Sequence, residues 1–353
     1  MSGDTRVALI GFGYAGRVFH APLIAATPGL TLAVIGSRQA TVASSAHPEA
    51  EVLADPLAAA CHPDAPLVVI ATPNDTHAPL AEAALRAGNH VVVDKPFTVT
   101  SAEARALATT AAEVGRLLSV FQNRRWDSDF LGIAGEIARG RIGEVIELRS
   151  EMSRYRPEVR DRWRERAGPG SGVWYDLGAH LIDQALCLFG PPESVQADLQ
   201  IQREGGSAID WFHAILGYGP TRVILSSSML ASDAPTRFLV RGTKGSLIKR
   251  GGDRQEDQLV AGRKPGSPGW GQDPDPLLFV GEDPGTPTEL ATPSGSYLDY
   301  YTAIAAAVRG EGELPVTPAQ AITVMTLIEA GIRSWAEGRV VEPRYADSER
   351  SAW

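Results

Sequence analysis

Through the first third of the chain, short unbroken apolar runs alternate with polar stretches of helical character. Residues 7–10, 31–35, 67–70, 91–93 and 117–121 are such runs, of the kind buried on both faces of a parallel sheet. Residues 17–26 and 78–87 read as helices, the second closed by Gly88, and Asp55-Pro56 marks a further helix start. Thr100 and Glu103 form a capping box for a helix that runs to about Val114 and stops at Gly115. The pattern predicts such strands, separated by helices, in a right-handed doubly wound sheet ending near Gln122.

From Arg125 the grammar changes. A helix near residues 130–139 stops at Gly140, and longer strands with interleaved apolar and polar positions follow at 145–152, 194–202, 209–216, 221–229 and 237–241. Four or five half-buried strands predict a mostly antiparallel sheet with one face on helices and the other wet or paired, which suits a homo-oligomer. Residues 251–295 are rich in proline, glycine and aspartate and read as a long ordered excursion or a loop, with a lid as one use. Helices return at 297–309 and 318–338. The expected fold is α/β: an N-terminal doubly wound Rossmann domain (1–122) plus a C-terminal α+β domain (123–353) with an open, mostly antiparallel sheet.

The first strand runs straight into Gly11-Phe12-Gly13-Tyr14-Ala15-Gly16, a Gly-x-Gly-x-x-Gly turn that opens a helix. Gly11 suits a tight turn, Gly13 lets backbone approach a pyrophosphate, and Gly16 lets the helix pack closely on the sheet. The helix start presents unpaired N–H groups to the phosphates, so these six residues are candidate dinucleotide contacts. The second strand ends in Gly36-Ser37-Arg38, with no carboxylate for an adenosine ribose. A hydroxyl and a guanidinium there favour NADP over NAD, the alternatives being Arg38 in water or stacked on adenine.

Composition narrows the setting. A chain of 353 residues is long enough for two cores, and 33 basic against 42 acidic residues, net −9, argue against nucleic acid or an anionic membrane as partner. Met1-Ser2-Gly3-Asp4-Thr5 lacks the basic start of a leader, and no apolar stretch approaches a membrane span, so a cytoplasmic enzyme is expected. Cys61 and Cys187 read as reduced spectators, and no spacing suggests a metal.

Two further segments carry chemistry. Asp94-Lys95-Pro96 lies at the carboxyl end of a nucleotide-sheet strand, where Lys95 can offset developing alkoxide charge. Asp176 and His180, four apart on a helix that follows Gly170-Ser171-Gly172, share a face; the imidazole is a natural proton acceptor and the carboxylate can orient it. Spacing alone reads more simply as a plain helix-surface pair and a strand exit. His20 reads as a packed helix residue. The arginines between residues 154 and 166, interrupted by Glu158, Asp161 and Glu165, read as a salt-bridged loop, or as one in which Tyr155 or an arginine reaches a polyol or a partner subunit.

The glycine turn, the Asp94-Lys95-Pro96 triplet and the Asp176-x-x-x-His180 helix, in this order and at these distances, resemble the Gfo/Idh/MocA oxidoreductases, whose triplet is usually Glu-Lys-Pro. Residues 94–100, 121–127, 154–157 and 168–172 look like the branch containing scyllo-inositol dehydrogenases. The resemblance implies a nicotinamide-binding Rossmann domain, a C-terminal domain whose open sheet serves a homodimer or homotetramer, and redox chemistry on sugars and polyols. By position it assigns Lys95, Asp176 and His180 to catalysis, and Thr72, Pro73, Asn74, His77, Lys95 and Asn123 to the cofactor cleft. Tyr155 and Trp163, with Asp176 and His180, become the expected substrate contacts. The expected activity is NADP-preferring hydride transfer to or from a secondary alcohol of a cyclic polyol or sugar. Its rivals are a regulatory NAD(P)-binding protein without turnover and an enzyme with tightly held NAD acting on another sugar.

Overall fold

A computed structural model describes residues 3–353; Met1 and Ser2, where the leader comparison begins, lie outside the described residues. The chain forms two compact units.

The first unit holds the chain up to Asn123 together with Gln255–Trp270 and Ser296–Ile322. Its sheet consists of β1 (Thr5–Ile10), β2 (Leu30–Gly36), β3 (Glu51–Leu53), β4 (Leu67–Ile70), β5 (His90–Asp94) and β6 (Leu118–Phe121). The order is β3-β2-β1-β4-β5-β6 and every pair is parallel, the doubly wound topology expected from the apolar runs. Residues Leu67 to Ile70 are all buried, which is why that strand reads as an unbroken run. β3 has no buried residue, so it left no such run in the sequence. Strand order reverses between β1 and β4, and the carboxyl ends of the strands beside that point are where open α/β sheets bind ligands. The predicted caps are present: Asp55 accepts from Leu57 N–H, Thr100 and Glu103 bond reciprocally, and Gly115 is left-handed at φ 64°.

The second unit comprises Arg124–Arg254, Gly271–Gly295 and Thr323–Trp353. Its strands are β7 (Val145–Glu151), β8 (Ser194–Gln200), β9 (Trp211–Tyr218), β10 (Thr221–Ser228), β11 (Phe238–Gly242), β12 (Gly245–Lys249), β13 (Leu277–Val280) and β14 (Thr288–Leu290). They pair in the order β14-β13-β12-β11-β7-β10-β9-β8, and only β7 with β10 is parallel. The mostly antiparallel, open sheet is as predicted, but it has eight strands rather than four or five. Two of the extra strands come from the proline-rich excursion, too short and too interrupted to show alternation. Along β9 and β10 alternate residues are buried, so one face carries the core and the other stays partly accessible.

Trp174 centres that core. It is fully buried, stacks edge-on against Phe212 at 4.9 Å, and donates from Nε1 to Ile328 O at 3.0 Å.

Candidate active site

In the first unit, backbone builds the site. Gly11 has φ 97°, and a Cβ there would lie 2.4 Å from Ala71 O; a Cβ on Gly16 would lie 2.0 Å from Gly11 O. Neither position admits another residue. A Cβ on Gly13 would meet no atom within 4 Å, so nothing in the chain itself crowds that position and its backbone stays open to a pyrophosphate. The turn therefore fits a dinucleotide pyrophosphate, with Phe12, Tyr14 and Ala15 filling it out. Phe12 turns inward at 2% exposure, whereas Tyr14 is half exposed and donates its hydroxyl to Glu256 at 2.9 Å.

The helix that follows differs from the regular α-helix predicted over 17–26. Gly16–His20 is a wide π turn, closed by Ala21 N–H on Gly16 O, and Ala21–Ala26 continues as α-helix. Pro22 has no N–H to reach back one α turn, and the wider turn absorbs that gap.

The other predicted contacts of this unit all follow strand ends. Ser37 and Arg38 follow β2; Ser37 is buried with its N–H on Leu53 O, and its Oγ accepts from Gln39 N–H at 3.0 Å, while Arg38 is exposed. Thr72, Pro73 and buried Asn74 follow β4, buried Lys95 follows β5, and buried Asn123 follows β6. The Lys95–Pro96 bond is cis.

His77 is held by backbone on both ring nitrogens. The ring is 1% exposed, its Nδ1 3.0 Å from Pro96 O and its Nε2 2.9 Å from Thr72 O, so it ties the loop after β4 to the turn after β5. Burial holds its pKa below the usual histidine value, against the pull of Asp94 and of the carbonyls of Thr72, Pro96 and Phe97. The imidazole is then neutral and donates to one of the two carbonyls at a time.

His20, expected as packing, is buried and packs at a tilt against Phe121, with ring centres 4.6 Å apart. Its Nδ1 lies 2.6 Å from the Tyr301 hydroxyl and its Nε2 3.8 Å from Asp94, whose Oδ1 accepts the Lys95 N–H at 2.8 Å. Burial, then Tyr300 and Asp94, keep the Tyr301 hydroxyl protonated. No local signal foretold this cluster, because Tyr301 joins His20 from 281 residues away.

In the second unit, the predicted catalytic residues lie on one helix and the turn before it. Trp174–Gly178 forms another π turn, and Ala179–Phe189 continues from it as α-helix. Asp176 and His180 therefore do not occupy one regular α-helix as predicted. The indole of Trp174 accounts for the widened turn: a Cβ on Gly178 would sit 2.9 Å from that ring, and one on Gly331 2.3 Å from its other edge. Asp176 is partly exposed and lies 3.9 Å from Arg164 Nε, whose guanidinium covers the Trp163 ring at 4.8 Å. Trp163 and Asp176 are thereby brought to one place through Arg164. Tyr155 is exposed and bridges Leu230.

His180 is 4% exposed, and its helix is anchored just beyond it. Asp183 receives both Nε and Nη2 of Arg125 at 2.9 and 2.8 Å. Gln184 donates to Arg124 O and accepts from Arg237, a buried guanidinium that also reaches Asp129 and Ser150. Such a bidentate pair and network fix the helix in position and rotation.

Among the described residues no cluster of three or more His, Cys, Asp or Glu could hold a metal ion, and no helix is long and apolar enough to cross a membrane.

Comparison with known proteins agrees with this geometry. Residues 5–122 match the model of an oxidoreductase family's NAD-binding Rossmann fold, and residues 134–342 match that of its C-terminal alpha/beta domain. The chain is 52% identical over 337 residues to the uncharacterized oxidoreductase YdgJ of Escherichia coli, covering 95% of this chain and 97% of that one. It is 39% identical over 341 residues to the scyllo-inositol 2-dehydrogenase (NADP(+)) IolW of Bacillus subtilis, covering 95% of each. A crystal structure of an oxidoreductase from Bacillus cereus superposes with a TM-score of 0.86 at 28% identity, over 97% of this chain and 99% of that one. A glycine turn at the end of the first strand of a doubly wound sheet, followed by an open eight-stranded sheet, thus coincides with both family models, and the chain belongs to the Gfo/Idh/MocA oxidoreductases.

Proposed function

We propose that the protein is an NADP-preferring dehydrogenase that moves a hydride between the nicotinamide and a secondary alcohol of a cyclic polyol or sugar, scyllo-inositol being the nearest model substrate. The main support is the position of Lys95, buried at the carboxyl edge of the nucleotide sheet, on the same edge as the Gly11–Gly16 turn. The bound dinucleotide supplies the hydride-accepting ring.

The protein's own groups manage the proton and the oxygen. His180 takes the hydroxyl proton on an imidazole nitrogen as the C–H bond is lost and the carbonyl forms. Lys95 donates a hydrogen bond to the same oxygen and offsets its developing negative charge. Asp176 favours the cationic form of His180. In reverse, the same groups return the proton to the oxygen of a reduced ketone.

NADP preference rests on Ser37 and Arg38 after β2, where no carboxylate stands to repel a 2′-phosphate. The B. subtilis relative is named as an NADP(+) enzyme. We further assign the accessible face of the second sheet, where Ile146 is half exposed, to a homodimer or homotetramer, with the enzyme acting in the cytoplasm. Light scattering on the purified protein tests the oligomer, and a monomer at micromolar concentration refutes it.

The test of the activity is direct: purified protein with NADP and a panel of inositol isomers and aldoses, followed at the reduced-cofactor absorbance band. Turnover with at least one ring polyol or sugar is expected. Silence across the panel in both directions, with NADP demonstrably bound, refutes the reading.

A further inference from the structure

Six arginines lie between residues 154 and 166, and three of them are occupied. Arg162 donates to Glu165 at 2.6 Å, Arg164 faces Asp176 at 3.9 Å, and Arg166 pairs with Asp161. The side chains of Arg154, Arg156 and Arg160 make no ion pair or hydrogen bond among the described residues.

These three are not on a loose loop. Arg154 N–H donates to Ser228 O at 2.8 Å and Arg156 N–H to Met229 O at 2.7 Å, so the chain leaving β7 stays extended against the end of β10. Positions two apart on an extended chain share a face, which puts Arg154 and Arg156 on one side and Tyr155, 60% exposed, on the other. Farther on, Glu165 accepts Arg160 N–H at 3.0 Å and is itself gripped by buried Arg203 at 2.9 Å. Arg203 also donates to Arg156 O and to Asp210, clamping both ends of the segment.

Arg154 and Arg156 are half-buried and Arg160 is exposed, and like charges along one short segment repel one another unless an anion lies near them. Arg156 registers this: burial, then Arg154, Arg160 and Arg162, hold its pKa below the usual arginine value, and Glu165 offsets only part of that. The same segment reaches Asp176 through Arg164.

We propose that Arg154, Arg156 and Arg160 form a subsite for an oxyanion carried by the substrate, so that the ring alcohol oxidised by this enzyme bears a phosphate ester or a carboxylate. This deepens the proposed function and rests on it only for the reaction, not for the binding.

The first arm of the test needs no turnover. The full-length protein is titrated calorimetrically with inorganic phosphate at low ionic strength, alongside Arg154→Gln, Arg156→Gln and, as a charge-matched control, Arg166→Gln. Saturable binding is expected, weakened about tenfold or more in the first two variants and no more than about twofold in the control, with unfolding midpoints close to wild type. No saturable binding, or an equal loss in all three, overturns the subsite.

The second arm compares kcat/KM with NADP for inositol against inositol monophosphate, and for glucose against glucose 6-phosphate and glucuronate. A preference of about tenfold or more for a charged member is expected, and its identity separates phosphate from carboxylate. Preference for the neutral members overturns the inference and leaves the dehydrogenase reading intact. Phosphate binding without turnover of any member upholds the subsite and sinks that reading instead.

Discussion

The two units place their functional groups by different means. In the first, the site is backbone: a glycine turn, strand ends and loops whose positions follow from parallel pairing. In the second, the candidate groups are side chains on the helix Ala179–Phe189 and the turn before it, held by Arg125–Asp183 and by the Arg237 network. A site made of backbone tolerates few residue types, so it leaves a motif. A site made of side chains depends on anchors far away in sequence, as Arg125 and Asp183 are at 58 residues, and leaves almost none. Both units nonetheless begin their functional helix with a π turn, one beside Pro22 and one beside Trp174, where a bulky or N–H-less residue prevents a regular first turn.

Substitutions can separate the two modes. The largest effect is expected from His180→Asn in the second unit, which should lower kcat by about 10²–10⁴-fold. Fluorescence titration with reduced cofactor should leave the dinucleotide affinity unchanged; loss of affinity would mean the helix carries more than proton transfer. Next, Asp183→Ala leaves the Arg125 guanidinium, 11% exposed, without its carboxylate, and should cost about 3–5 kcal/mol in chemical denaturation. A cost near zero would show that the helix is held by packing alone.

In the first unit Arg38→Ala should weaken NADP by about 10–100-fold, the worth of a charge-assisted hydrogen bond of about 1.5–3 kcal/mol, and leave NAD unaffected. Equal loss for both would place the arginine on the adenine instead. The smallest effect belongs to Glu136→Gln. Burial raises the Glu136 pKa, but Arg141 and Arg139 outweigh it and hold the carboxyl below the usual glutamate value. With the folded pKa depressed, the pair's contribution is present above about pH 4.3 and is lost as pH falls through the folded value. The variant should therefore be less stable by about 0.5–1 kcal/mol at neutral pH, with the gap in melting midpoints closing on acidification. A gap that persists at pH 3 would assign the effect to packing.

The comparison also explains what the sequence revealed. Apolar runs such as Leu67–Ile70 exist because helices cover both faces, and the glycine turn exists because Ala71 O and Gly11 O exclude any Cβ at Gly11 and Gly16; both constraints are local, so the nucleotide unit could be read directly. β12, β13 and β14 were missed because strands of three to five residues carry no period long enough to see.

The sequence by itself determined the two kinds of sheet, the dinucleotide turn and the identity of Lys95 and His180 as candidates, since each follows from residues close together in the chain. Tertiary structure alone decided that Tyr301 and Asp94 enclose His20, that the His77 ring sits between two backbone carbonyls, and that three arginines out of six are left without carboxylates. Those outcomes depend on which distant groups meet, and a buried polar group takes whatever partner the packing of the whole unit brings to it.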